Sequence, residues 1–254
     1  MPVSDQSILL LGGTTEAAEL AQILNAQGFP VTTSLAGRTA NPSPVDGNVR
    51  SGGYGGVEGL SAYITQQNIA LIIDATHPFA RQISANAQQA ADQTRCPLIR
   101  LERASWQQQS GDKWQLIQSE EAAARLLPAG ARAFLGLGRQ HIAPFQACDD
   151  VHFIMRMIDP AEVALPRHHE IILAKPADYE AEYDLLRQYK ITHLVCRNSG
   201  GNASYEKIRA ARDLSIEVLM IERPKPVAHH VVESTDAVLA FVHSFFISVL
   251  RSTC

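Results

Sequence analysis

Cysteine is scarce and scattered. Cys96, Cys148, Cys196 and Cys254 are the only four in 254 residues, and none stands in a Cys-x-x-Cys pair or at a Cys/His spacing suited to zinc. Isolated thiols of this kind point to a reducing cytoplasm rather than a disulfide scaffold. Strong charge of either sign is also missing. A net charge of -4 provides no basic surface to neutralise nucleic-acid phosphates, although a local cluster of Arg and Lys can still hold a small anion. Long apolar runs are absent too: the stretch 237–250 is too short to span a bilayer and is broken by His243 and two serines, so it reads as a packed terminal helix. No charged-then-apolar leader opens the chain, and the expected compartment is the cytoplasm. The doublets His168-His169 and His229-His230 lack a third ligand, so no metal is expected.

What is present is a recurring unit: a short apolar run, a Gly-rich or polar turn, then an amphipathic helix. Its repetition predicts parallel strands joined by crossover helices. Strands are expected at 7–11, 30–35, 49–51, 70–75 and 97–101, with helices at 16–27, 60–67 and 80–93; Gly28 is a C-cap candidate. The pattern weakens over 102–113, around Gln107-Gln108-Gln109-Ser110-Gly111-Asp112, the candidate linker. It then resumes with strands at 133–137, 151–157, 170–174, 193–197 and 217–221 and helices at 179–189, 205–214 and 235–250. The expected fold is α/β: two Rossmann-like domains with parallel sheets flanked by helices, residues 1–105 and 106–254, and a ligand cleft between them.

The first strand runs into Gly12-Gly13-Thr14-Thr15-Glu16. A Gly-Gly pair at a strand's carboxyl end lets the backbone approach a pyrophosphate, whose charge the next helix N-terminus stabilises, and Thr14 and Thr15 add hydroxyls. The third glycine of the usual fingerprint is replaced by Ala17 or Ala18, so the turn alone is equally a plain tight turn. The second strand continues into Ser34-Leu35-Ala36-Gly37-Arg38, with no carboxylate to hold a ribose hydroxyl and a guanidinium suited to a 2′-phosphate. That favours NADPH over NADH as the cofactor; a solvated surface Arg is the alternative reading.

Further ligand candidates stand at strand ends. Gly52-Gly53-Tyr54-Gly55-Gly56 offers backbone to a flat ligand, or is a mobile surface loop. Asp74-Ala75-Thr76-His77-Pro78 follows the buried fourth strand, and His77 is the candidate proton donor, or else a capping or core histidine. In the second half, Arg197-Asn198-Ser199-Gly200-Gly201 could surround an anion, and Glu222-Arg223-Pro224 ends the next strand. Arg81, Lys175, Arg197, Arg223 and Lys225 are candidate cations for an anionic substrate; each is also readable as ordinary surface charge.

Taken in order, these segments resemble the precorrin-6A reductases of cobalamin biosynthesis. The resemblance is carried by 11–17, 34–38, 52–56, 74–80, Asn198-Ser199-Gly200-Gly201, Lys207 to Arg212 and Glu222-Arg223-Pro224. It implies a two-domain reductase that passes hydride from NADPH, or NADH in some members, to carbon 19 of an anionic tetrapyrrole and a proton to carbon 18. It also implies that Gly53, Tyr54, Gly55, Thr76, His77 and Pro78 stand at the cofactor. Some members act on the cobalt-containing substrate. The second half departs from the family pattern: Arg197-Asn198 stands where Lys is frequent, and Ala174-Lys175-Pro176-Ala177 where Gly-Pro-Phe is frequent.

Three rivals fit parts of the pattern. A short-chain dehydrogenase needs Tyr-x-x-x-Lys, and no tyrosine here has Lys four residues on. A nucleotide-binding sensor would keep the Gly12 turn without needing the second-half loops. A cofactor-free tetrapyrrole enzyme would use that turn only as a turn. Nucleic acid and membrane are not expected partners; oligomeric state is open, a monomer being compatible.

Overall fold

The computed structural model describes residues 7–37, 45–158, 164–202 and 204–252. The chain divides into one unit of residues 1–104 with 224–254 and a second of residues 105–223.

The first unit is built on a six-stranded sheet whose hydrogen-bonded pairs are all parallel. Its strands are β1 (Ser7–Leu11), β2 (Val31–Leu35), β3 (Asn48–Ser51), β4 (Ile69–Asp74), β5 (Leu98–Leu101) and the short β12 (Val231–Val232), in the order β3-β2-β1-β4-β5-β12. The apolar run of β1 serves both faces. Ile8 and Leu10 pack with α1 (Thr15–Ala26) and α7 (Thr235–Ser252); Leu9 and Leu11 pack with α2 (Val57–Gln66) and α3 (Arg81–Thr94). Alternation along one strand thus feeds two cores, which is why the run carries no polar residue. Gly28, at φ +83°, ends the first crossover helix in the left-handed conformation.

The last helix corrects the expected second domain of 106–254. Val238, Val242 and Phe246, spaced four apart, form a buried stripe against Leu20, Leu24 and Val31 of the first unit. Burying such a side chain contributes roughly 1.5–3 kcal/mol. The preceding segment is pinned by Arg100 and Glu102 backbone N–H groups donating to the carbonyls of His230 and Val232. Ser234 caps the helix, accepting from the Ala237 N–H.

The second unit repeats the design with β6 (Lys113–Ile117), β7 (Arg132–Gly136), β8 (His152–Met157), β9 (His169–Leu173), β10 (His193–Arg197) and β11 (Glu217–Ile221). The order is β9-β8-β7-β10-β11-β6, again with parallel pairs throughout. Helices α5 (Tyr179–Gln188) and α6 (Glu206–Asp213) cover one face, and α4 (Glu120–Leu126) follows β6. The expected linker is shorter than predicted. Trp106 is buried in the second core, and the polar run 107–112 turns directly into β6. That strand escaped notice because it is an edge strand whose Lys113, Gln115 and Leu116 stay exposed, leaving no apolar run to read.

Both sheets have the Rossmann order, and in both the sixth strand is exchanged. After β5 the chain supplies β6 to the second sheet; after β11 it supplies β12 to the first. Among the described residues no helix is long and apolar enough to cross a membrane, and no cluster of three or more His, Cys, Asp or Glu could hold a metal ion.

Candidate active site

In the first sheet the strand order reverses between β1 and β4, the switch point where open α/β sheets bind ligands. The residues after both strands meet there. Thr14 donates its hydroxyl proton to the Ala75 carbonyl at 2.8 Å and accepts from the Ala17 N–H at 3.1 Å, capping α1 while tying the two strand ends together. Its hydroxyl proton is therefore already used, contrary to its expected role as a donor to ligand. The N–H groups of Thr15 and Glu16 have no acceptor within the helix, because the first turn never has one, so the backbone itself is the donor set. Gly12 is tightly enclosed: a Cβ there would lie 3.1 Å from Thr33 Cγ2. Gly13 takes φ +107° with open space around it, a conformation that glycine alone adopts freely. These are the features of a phosphate cradle.

A shallow pocket opens at this point, lined by Thr14, Glu16, Thr76, Pro78, Leu101 and Arg103. Arg103, not anticipated from the sequence, pairs with Glu16 at 2.5 Å. Beneath the pocket lies a buried charge cluster. Arg100 Nη1 is 2.5 Å from Asp74 Oδ2 and its Nε 2.7 Å from Glu102 Oε2, with all three residues under a tenth exposed. Burial alone would lower the Arg100 pKa; the two carboxylates outweigh it and hold it above the ordinary arginine value. Asp74 also accepts from the Thr76 N–H and hydroxyl, so it anchors Thr76 and not His77. His77 is half-buried beside the pocket and not in its wall; its Nδ1 accepts from the Phe79 N–H at 3.2 Å. A neutral ring in that arrangement carries its proton on Nε2.

The Gly52–Gly56 loop is stapled. Arg50 donates to the carbonyls of Gly52 and Gly53 at 2.5 and 2.7 Å, and its guanidinium stacks 3.8 Å over the Tyr54 ring. The alternative of a loose surface loop does not describe it. Its signal was a cation on an edge strand immediately before the glycines. Ser34 is buried at the end of β2, while Ala36 and Gly37 are exposed beyond it. Arg38 lies outside the described residues. Arg81 is exposed at the first position of α3, a place where the helix dipole disfavours a cation and where it can serve an incoming anion.

In the second sheet the corresponding switch point lies between β7 and β10. Asn198 does not present its amide to a ligand. Its Oδ1 accepts from the Trp106 N–H at 2.8 Å and its Nδ2 donates to the Trp106 carbonyl at 3.0 Å. Trp106 in turn donates to the Gly201 carbonyl, and the buried Lys207 donates to the Ser204 carbonyl at 2.5 Å and lies 5.1 Å from the Trp106 ring centre. Burial lowers the Lys207 pKa. These contacts hold Gly200 and Gly201, both at positive φ, with Ser199 half-buried beside them. Arg197 lies 3.3 Å from Glu120, which also faces His141 at 3.1 Å; Arg223 donates to the Asn198 carbonyl at 3.2 Å. Lys175 is exposed, in an exposed segment after β9. The hydrogen bond from His141 first, and then the Arg197 charge among smaller influences, lowers the Glu120 pKa against the opposing effect of burial.

A protein-family model for precorrin-6x reductases, CbiJ/CobK, matches residues 7–243. The chain belongs to this family. It is 42% identical to a precorrin-6A reductase of Rhodobacter capsulatus over 92% of this chain and 95% of that one. It is 44% identical to a precorrin-6A reductase of a Sinorhizobium species, over 91% and 90%. A solved structure of a CobK precorrin-6A reductase superposes with a TM-score of 0.91 at 41% identity, covering 94% of this chain and 97% of that one. Family membership makes the chain an oxidoreductase, one of a group of nicotinamide-dependent reductases.

Proposed function

We propose that this chain reduces precorrin-6A to precorrin-6B with NADPH, hydride going to carbon 19 of the macrocycle and a proton to carbon 18. The observation that carries the cofactor half is the Gly12-Gly13-Thr14 turn, which opens α1 at the switch point of a sheet with Rossmann order. The relatives at 42% and 44% identity are named for the metal-free substrate, which supports that substrate here.

The residues fit the cofactor. Gly12, Gly13, Thr15 and Glu16 would bring backbone N–H groups to the pyrophosphate, with Thr14 as the cap that orients them. Ser34, Ala36, Gly37 and Arg38 would receive the adenosine ribose and its 2′-phosphate. Gly53, Tyr54 and Gly55 would lie against the same ligand, and Thr76, His77 and Pro78 would stand at the nicotinamide end. The bound nicotinamide supplies the hydride. The protein's own work is to hold the reacting partners in register and keep water out. His77 is the proposed proton donor through Nε2–H, the ring nitrogen opposite the one that accepts from the Phe79 N–H. Arg81, Lys175, Arg197 and Arg223 would offer cations to the substrate carboxylates, with Ser199 and Gly200 presenting backbone; Asn198 contributes by shaping that loop.

The test is a titration of the purified protein with NADPH and with NADH, followed by anaerobic addition of precorrin-6A while cofactor absorbance is recorded. Tighter binding of NADPH and stoichiometric oxidation are expected. Failure to bind either nucleotide would sink the proposal, and binding without turnover would turn it into a sensor. Arg38→Ala should weaken NADPH much more than NADH; equal losses refute the 2′-phosphate assignment. His77→Gln should lower kcat while leaving NADPH affinity in place.

A further inference from the structure

The Thr76 hydroxyl belongs to a closed ring of hydrogen bonds that dictates where its proton points. Asp74 Oδ1 is a carboxylate oxygen and only accepts, so Thr76 Oγ1, 2.7 Å away, commits its single proton there. Arg100 Nη1 only donates, to Asp74 Oδ2 at 2.5 Å and to Ser84 Oγ at 2.6 Å. Ser84, having accepted from Arg100, has its own proton left to give, and Thr76 Oγ1 lies 3.3 Å from it. The ring runs from Arg100 to Ser84, to Thr76, to Asp74 and back to Arg100. Glu102 takes the Arg100 Nε and stops the guanidinium from turning. Asp74, Arg100, Ser84 and Thr76 are 1%, 2%, 4% and 8% exposed, so water does not compete for these positions.

Thr76 is the member of the ring that lines the pocket. A free threonine hydroxyl rotates and can donate or accept; this one has its proton fixed inward, so any contact of its oxygen with a ligand in the pocket is as an acceptor. We propose that Thr76 is a specificity-determining acceptor for the N–H of the nicotinamide carboxamide, and that Asp74, Ser84 and Arg100 are the positioning residues that keep it one. The inference rests on the reading of this pocket as the nicotinamide end of the cofactor site. It adds a selection rule: the ligand group that meets Thr76 must be a donor.

The probe pair is NADPH and its 3-acetylpyridine analogue, in which a methyl group replaces the carboxamide NH2. Both are titrated into the full-length protein and followed by cofactor fluorescence. The unmodified protein should bind NADPH about tenfold more tightly, the ordinary weight of one hydrogen bond. Thr76→Val, which keeps the shape and removes the acceptor, should reduce that ratio to about one; Thr76→Ser should restore it. A merely structural Thr76 would shift both affinities together and leave the ratio alone, which overturns the proposal. So does an unmodified protein with no preference between the two, a measurement that needs no variant to fold. If the unmodified protein binds neither compound, the cofactor reading itself fails. If every form binds both with one unchanged ratio, that reading stands and only the selection rule falls.

Discussion

The two units share a strand order and differ at one turn. In both, the order reverses beside the central strand, and in both the sixth strand is lent by the segment that leaves the other. After β1 the chain enters a twelve-residue α-helix through Gly12-Gly13-Thr14; after β7 it passes Leu137-Gly138 into two short 3-10 turns, 139–141 and 143–147. A helix of three turns aligns its peptide dipoles and leaves its first N–H groups unpaired toward the strand end. Two short 3-10 turns build no comparable dipole. The same sheet therefore opens onto a helix N-terminus in one unit and, in the other, onto loops that carry Arg197 and Arg223. Fold alone does not assign the role; the proposed one rests on the first turn.

The sharpest way to break this contrast is to damage the two turns equally. Gly13→Val forces a β-branched side chain onto φ +107°, at the turn proposed to hold the phosphates. Strain of about 1–3 kcal/mol plus lost backbone contacts should weaken NADPH about 100-fold, measured by fluorescence titration. Gly138→Ala, at φ -70° with the nearest side-chain atom, His141 Cδ2, 4.0 Å from its Cβ, should leave NADPH affinity unchanged within about twofold. Equal losses from the two would show that the turns are not functionally distinct.

The next effect is on stability and belongs to the second unit alone. Asn198→Ala removes both hydrogen bonds to the Trp106 backbone and leaves buried polar groups without partners. The cost should be about 2–4 kcal/mol, seen as a lower thermal midpoint with NADPH affinity retained. Loss of NADPH binding in this variant would mean that the units are not separable in this way. A smaller effect comes from Arg223→Met, which should raise the KM for the macrocycle about tenfold and leave the KM for NADPH in place.

Legibility in the sequence followed burial. Strands β1, β4, β10 and β11 were readable because both of their faces are covered, so their apolar runs are unbroken. β6 and β12 were not, since Lys113 and Gln115 break the apolar run of the first and the second is only two residues long. The same limit moved α7 to the wrong domain: its apolar stripe announces burial but not the surface it is buried against. At the site, the glycines and Arg197 could be found as motifs. The Arg100 cluster and the use of Asn198 as a brace could not, because each joins residues that only the fold brings together; the Arg50 staple is local and was simply not read.

The smallest expected effect tests whether Arg197, Glu120 and His141 act as one electrostatic group in the second unit. Glu120 has its pKa lowered from the ordinary 4.5, first by the hydrogen bond from His141. A carboxylate whose folded pKa lies below its unfolded value adds stability that is complete above the unfolded value and is lost as pH falls through the folded one. Urea midpoints taken at pH 7 and on the acid side of 4.5 should therefore fall less steeply in Glu120→Gln than in the unmodified protein. The group is partly open to solvent, so screening holds the difference to about 1 kcal/mol or less. At pH 7 the same variant also removes the carboxylate 3.3 Å from Arg197, and with it that group's competition with an incoming anion. A lower KM for the tetracyclic polycarboxylate together with a flattened acid limb would tie both properties to one residue. A flattened limb with an unchanged KM would leave Glu120 a stability element and remove Arg197 from the substrate contacts.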